Sequence, residues 1–196
     1  MEISEKELED IIFEAASKKD TRADLIKRGL DLPFNGKMYR QVNFGDYGIA
    51  DLIHVSIFTN RVSIDRKYRC LQIEIIELKK NTISAQTVCQ AYRYLKAIQE
   101  LIEELNTDQF VEINQHITLI GSEIDKNSDT SFVYLYNGLE DMVDIYTYSL
   151  KYDGIWFEKQ EHSWYKPNPD FPLQLKQIIC HPSYSDLKAI IDFRHE

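Results

Sequence analysis

The stretch Tyr68–Leu78, YRCLQIEIIEL, constrains the fold more than any other part of the chain. Its apolar residues fall at both odd and even positions. A strand with one solvated face alternates, whereas a strand apolar on both faces needs cover on both sides. That is the place of an inner strand in a sheet with helices above and below. Successive side chains point to opposite faces, so Ile75, Glu77 and Lys79 share one side and Glu74 takes the other. Ile75 is expected in the core, with Glu77 and Lys79 emerging side by side where the strand leaves it. An acid and a base delivered to one point by a buried strand call for a chemical reason.

The flanking patterns supply the cover. Residues 4–19 open on Ser4 with Glu7 three residues later, a capping-box pattern, and Leu8, Ile11, Ile12 and Ala15 recur at helical spacing. A further helical turn in DTRADLIKRG leads to the turn signal LPFNGK. Residues 38–44 and 48–58 read as strands separated by GDYG, and TNRVSIDRK as a charged loop or hairpin arm. The strongest helix is expected over about 82–105, where Val88, Ala91, Tyr92, Leu95, Ile98, Ile102 and Leu105 form a stripe. A fourth strand follows at 115–122. Phe132, Leu135, Tyr136, Leu139 and Val143 suggest a shorter helix weakened by Gly138. VDIYTYSLKYDGIWFEKQ reads as a hairpin turning at Asp153-Gly154. A PNPDFP loop and a short closing helix near SDLKAIIDF follow. This order predicts an α/β fold, a single mixed β-sheet flanked by helices. It is expected as one domain over 1–196, with a core over about 4–123 and a C-terminal hairpin and helix extension over about 124–196.

No apolar run approaches the roughly 20 residues that span a bilayer, and MEISEKELED is unlike a secretory signal. No membrane partner is expected. Cys70, Cys89 and Cys180 are odd in number and lack CxxC spacing, so neither a disulfide framework nor a structural zinc site is expected, and a cytoplasmic location fits. Cys89 reads as a buried small apolar residue. His54, His116, His162, His181 and His195 show no metal-ligand spacing and read as structural or surface residues. Trp156, Phe157, Trp164 and Tyr165 read as a satellite apolar cluster. The net charge of −9 argues against nonspecific attraction to nucleic acid across the whole surface.

With 32 acidic residues in 196, acid-x-Lys should arise roughly two or three times by chance. It occurs at Asp65-Arg66-Lys67, Glu77-Leu78-Lys79 and Asp186-Leu187-Lys188, but only Glu77-Leu78-Lys79 ends an apolar strand. Asp51 lies one strand upstream. Gln90 and Tyr94, at i and i+4 on the long helix, fall near the edge of its apolar stripe. Phosphodiester cleavage needs a nucleophilic water, charge relief on phosphoryl oxygens and a stabilised leaving oxygen. Mg²⁺ or Mn²⁺ meets the first two needs and takes carboxylate, carbonyl and water oxygens. Asp51 and Glu77, with the backbone carbonyl of Leu78, can hold one such metal. Lys79 can orient the attacking water or stabilise charge, and Gln90 and Tyr94 can hydrogen-bond the phosphate or that water.

Gly48-Ile49-Ala50-Asp51, Glu77-Leu78-Lys79 and Gln90-Ala91-Tyr92-Arg93-Tyr94 resemble the GxxD, (D/E)xK and QxxxY signatures of PD-(D/E)XK nucleases, closest to the RecB-type branch. The resemblance covers about residues 4–123. Ala50 departs from the usual proline and Glu77 from aspartate, both within the family's range. The resemblance implies a restriction-endonuclease-like αβββαβ core and a divalent-metal-dependent nuclease acting on DNA. It also implies an acid on the first helix that completes the metal site. Glu9 is the choice here, with Glu14 and Asp10 as alternatives. Lys80, Arg93 and Lys96 are expected near the site as nucleic-acid contacts, and Arg61, Arg66, Lys67 and Arg69 form a basic patch around the loop before the third strand. On so acidic a chain, a homodimer or a partner subunit is a further source of affinity. The alternative function is a catalytically weak or inactive nuclease-fold subunit that binds nucleic acid or a protein partner; a third is an α/β interaction protein with chance motifs.

Overall fold

The computed structural model describes residues 3–32, 36–61, 67–104, 112–125 and 142–160. All of these belong to one compact unit, Met1–Gln160. The PNPDFP loop, the closing helix near 185–193, and residues 132–141 of the expected shorter helix lie outside the described residues.

Ser4 starts the first helix as its pattern predicts. Its hydroxyl accepts the Glu7 N–H and the Glu7 carboxylate accepts the Ser4 N–H at 2.8 Å, closing a capping box on α1 (Glu5–Ser17). Lys18 adopts an extended backbone that separates α1 from α2 (Lys19–Lys27). The strands are β1 (Lys37–Asn43), β2 (Ile49–Arg61) and β3 (Lys67–Leu78), so both arms of TNRVSIDRK extend the β2–β3 pair. The helix expected from residue 82 begins later. Thr82–Ile83 form a short strand β4, and α3 runs Ala85–Glu104. Then come β5 (Glu112–Gly121), β6 (Glu123–Ile124), β7 (Val143–Lys151) and β8 (Gly154–Lys159). Val143, expected at the end of a helix, opens β7 instead, where it is fully buried.

Six strands make one mixed sheet in the order β1-β2-β3-β5-β7-β8, and β4 pairs with β6 in a parallel two-stranded ribbon. The β1–β2, β2–β3 and β7–β8 pairs are antiparallel; β3–β5 and β5–β7 are parallel. Leu52 lies beside Ile76, Ile76 beside Thr118 and Thr118 beside Asp144, so even-numbered residues of these strands share a face. That face meets α1 and α2, where Leu8, Ile12 and Leu25 pack with Leu52, Ile76, Ile120 and Tyr146. The odd face, with Ile75, Ile117 and Leu119, is equally buried, and α3 packs on β2, β3 and β5. β3 therefore sits inside the sheet with cover on both faces, as its sequence requires.

The stripe on α3 is rotated from the expected one. Thr87, Val88, Ala91, Tyr94, Leu95 and Ile98 are buried. At about 100° per residue their mean direction falls about 60° from Val88. That leaves Cys89 nearly opposite the buried arc and exposed, against the expectation of a buried thiol, and Tyr92 46% exposed. Tyr94 takes the buried place instead.

The hairpin is integral to the sheet. β7 pairs with β5, and Tyr146, Tyr148, Ile155 and Phe157 join the core beneath α1 and α2. Phe157 is therefore a core residue; Trp156 stays at the surface, between the Arg28 and Lys151 cations. The Phe157 N–H donates to the Arg28 carbonyl at 2.7 Å. Gly29, at φ +95°, permits that approach, because a Cβ there would lie 2.2 Å from the Phe157 oxygen. Among the described residues no helix is long and apolar enough to cross a membrane. Phe157→Ala is expected to cost about 3–5 kcal/mol in denaturant unfolding, as for any large core side chain. A loss below about 1 kcal/mol would mean that the hairpin only trails the core.

Candidate active site

One step beyond the Leu52–Ile76 pair, the antiparallel register sets Asp51 level with Glu77. Asp51 Oδ2 accepts the Leu78 N–H at 2.9 Å, and Oδ1 lies 3.5 Å from Gln41 Nε2. Burial pushes the Asp51 carboxyl upward, against the Leu78 N–H and the Lys79 charge, which favour ionisation. Glu77 does not emerge into solvent as expected, for it is 1% exposed. Its Oε1 accepts the Lys79 ammonium at 2.7 Å, while Oε2 is buried without a partner. Burial first, and then the Asp51 charge, push Glu77 up to about 7. Burial pulls Lys79 down, but hydrogen bonding to Glu77 and the charges of Glu77, Asp51 and Glu5 outweigh it and raise its pKa. The three residues meet at one point, with Lys79 on the side of the acids.

Buried polar atoms rarely lack a partner. The lone Glu77 oxygen beside a second carboxylate is therefore a place for a cation or a proton. The donors are hard oxygens, the set that Mg²⁺ or Mn²⁺ accepts. Among the described residues no three His, Cys or acidic side chains converge on one point, so the pair comes without a third protein carboxylate in place.

The first helix does send an acid toward the pair, but it is Glu5. Its Oε1 accepts the Lys80 N–H at 3.0 Å, and its charge acts on Asp51, Glu77 and Lys79. Glu9 is instead buried at 4% exposure and engaged by Arg40 at 2.5 Å and by Gln41 at 2.6 Å. The alternatives are also occupied, Asp10 by Arg40 and Glu14 by Lys18. Glu9 therefore acts one step back, through Gln41 on Asp51. Gln41 takes φ +47° inside β1, a conformation uncommon for any residue but glycine, and this turns its amide between the two acids. Neither Glu5 nor Gln41 figures among the sequence candidates. Glu5 lies one helical turn before Glu9 on the same face, which was the available signal; nothing in the sequence marks Gln41.

Gln90 and Tyr94 meet as the i, i+4 spacing predicts. Gln90 Nε2 donates to the Tyr94 hydroxyl at 2.8 Å, and that hydroxyl donates to the Ile49 carbonyl at 2.7 Å. The hydroxyl proton is thus used to hold the start of β2, two residues before Asp51. Phe44 stacks on the Tyr94 ring at 6.0 Å, and Gly48, at φ +110°, leaves room for it, since a Cβ there would sit 3.2 Å from the ring. Lys80 lies next to the site, whereas Arg93 and Lys96 are exposed on α3. Arg61 and Lys67 pair at the far ends of β2 and β3. Ten residues along a strand is about 33 Å, so that patch lies away from Glu77; Arg66 lies outside the described residues.

A second titratable group occupies the other face. Glu74, 2% exposed, accepts the Thr118 hydroxyl at 2.6 Å, and burial pushes it up to about 7. Next to it Asp144 binds Lys159 at 2.7 Å and His116 at 3.3 Å; burial opposes its charge, but these partners hold it at about 2. His54 is fully buried, and burial lowers its pKa.

No protein-family model matches the chain, and neither a curated protein nor a solved structure matches it.

Between the ordinary glutamate value of 4.5 and about 7, the folded state holds a proton on Glu74 that the unfolded state has lost. This contribution to stability is present at low pH and disappears as pH rises through that window. Glu74→Gln is expected to raise the thermal midpoint at pH 8, by about 3 kcal/mol of stability, and to change it little at pH 5. Equal shifts at the two pH values would show that Glu74 does not carry this proton.

Proposed function

We propose that the chain is a divalent-metal-dependent nuclease that hydrolyses phosphodiester bonds in DNA. The observation that carries this reading is the meeting of Asp51 and Glu77 on neighbouring strands, with one Glu77 oxygen buried and unpartnered and the other held by Lys79. Asp51 and Glu77 would hold Mg²⁺ or Mn²⁺, with the Leu78 carbonyl as a further ligand. Bound there, the metal supplies charge relief on the phosphate and a water of lowered pKa. Lys79, fixed by Glu77, can donate a hydrogen bond to the attacking water or to a phosphoryl oxygen. Glu5 adds negative charge on the metal side, and Gln41, held by Glu9, fixes the Asp51 carboxylate. Tyr94 and Gln90 are positioning residues for the strand that bears Asp51. The order of α1, three antiparallel strands, α3 and a strand parallel to the third supports a restriction-endonuclease-like core. The odd number of cysteines and their lack of CxxC spacing support a reducing, cytoplasmic setting.

A second reading is a nuclease-fold subunit with little or no activity of its own. The net charge of −9 and the placement of Arg61 and Lys67 far along the strands favour it. Such a chain would gain affinity for nucleic acid from a second copy or a partner subunit.

Incubation with plasmid and with single-stranded DNA in Mg²⁺, Mn²⁺ or EDTA tests the first reading. Cleavage is expected to require metal and to fall at least about 100-fold in Lys79→Ala, with the fold intact by circular dichroism. A folded wild type that cuts neither substrate moves the conclusion to the subunit reading. Tyr94→Phe is expected to lose about 1 kcal/mol of stability while keeping metal-dependent cleavage. A loss of activity as deep as that of Lys79→Ala would instead make the hydroxyl part of the chemistry.

A further inference from the structure

The parallel strands β3, β5 and β7 end on one side of the sheet, but not at one level. β5 stops at Gly121, level with Thr147, while β7 continues to Lys151. The step opens a pocket of about 330 Å³ beyond the end of β5, lined by Lys80, Asn81, Ser122, Tyr148, Ser149 and Leu150, with Ile3 at its side. Ligands of open α/β sheets bind in such places, outside the carboxyl ends of the strands.

The pocket is built rather than incidental. The Tyr148 hydroxyl donates to the Lys80 carbonyl, and the Ser122 N–H and hydroxyl donate to the Asn81 carbonyl at 2.8 and 3.1 Å. These bonds tie the ends of β3, β5 and β7 together, and the β4–β6 ribbon holds the rim through Thr82 and Glu123. The pocket also neighbours the acid pair along the chain. Lys80 follows Lys79 directly, and the Glu5 carboxylate that accepts the Lys80 N–H acts by its charge on Asp51 and Glu77 on one side and on Tyr148 on the other.

We infer that this pocket takes a single nucleotide unit adjoining the phosphate held by the acid pair, so that the preferred ligand is single-stranded nucleic acid or a frayed end. This rests on the nuclease reading for the position of that phosphate. The lining suits each part of a nucleotide: the Lys80 ammonium for a phosphate, the Asn81 amide and Ser149 hydroxyl for base edges or sugar, and Leu150 with Ile3 for a base face. The volume is at the small end of ligand sites, roughly 300–1,000 Å³. A base freed from its stack fits there; a base pair with both strands attached does not.

Ser149 is exposed and lines the pocket outside the core cluster, so Ser149→Trp adds bulk at the pocket wall, away from the acid pair. The test measures anisotropy of fluorescein-labelled hexathymidylate and of a labelled twelve-base-pair duplex, in Ca²⁺, with wild type and Ser149→Trp. Wild type is expected to bind the single strand at least about tenfold more tightly than the duplex, roughly the yield of burying one base face against apolar side chains, and Ser149→Trp to erase that preference. Equal or tighter duplex binding, unchanged single-strand affinity in Ser149→Trp, or no binding of either probe overturns the inference. Cleavage in Mg²⁺ is scored separately. Duplex cleavage unaffected by Ser149→Trp overturns the pocket and leaves the nuclease standing. Single-strand binding that Ser149→Trp abolishes, without cleavage by wild type, keeps the pocket and overturns the nuclease.

Discussion

Glu77 is the constraint on which the rest of the site depends. A carboxylate at 1% exposure costs several kcal/mol to ionise unless a partner compensates. Here one oxygen has Lys79 and the other has nothing. Asp51 stands level with it on the neighbouring strand, and like charges directly opposed destabilise a sheet. Both acids are accordingly pushed toward their neutral forms. An arrangement that disfavours its own charge without a further cation is costly as architecture and well suited to chemistry. Neighbouring residues hold this geometry in place.

That support comes from elements on both sides of the sheet. On the α1 side, Arg40 neutralises Glu9 and Asp10, and Glu9 orients Gln41 against Asp51. The positive φ of Gln41 costs of order 1–3 kcal/mol, the kind of local strain that persists only where surrounding contacts fix it. On the α3 side, Tyr94 is wedged between Phe44 and Gly48 and bonded to the backbone two residues before Asp51. The Leu78 N–H bonds to Asp51 Oδ2 and so ties the acid to the end of β3. The acid pair is thus placed by backbone and packing, not by flexible side chains alone.

Much of this was legible in the sequence because it depends on periodicity. The two-sided apolarity of Tyr68–Leu78 forces an inner strand, and side-chain alternation then separates Glu74 from Glu77. The capping box sets the start of α1. Tertiary features were less visible. Thr82–Ile83 form strand only because Glu123–Ile124 lie beside them, and two-residue pairs leave no periodic signal. The apolar stripe expected on α3 took in Tyr92, whereas the buried arc is centred about 60° from Val88 and leaves Tyr92 and Cys89 outside it. The choice between Glu5 and Glu9 turned on Arg40, thirty-one residues from Glu9 in sequence. Helical phase alone keeps the two acids on one face and cannot show which of them a β1 arginine will take.

The chain's acidity has a different meaning once the charges are placed. Asp51 and Glu77 stand beside Lys79, with the charge of Glu5 acting on all three, while Glu9 and Asp10 share Arg40. Without a bound cation, an acid pair that already disfavours its own charge disfavours a phosphodiester beside it as well. On the nuclease reading, the metal is then a condition of binding as well as of chemistry. Among the described residues, duplex recognition through a broad basic face has no counterpart around this site, where Arg93 and Lys96 are spread over the exposed side of α3. A ligand held by one metal-bound phosphate and one pocketed nucleotide needs few basic contacts. The same acidic surface that argues against tight duplex binding is therefore compatible with engagement of a strand one nucleotide at a time.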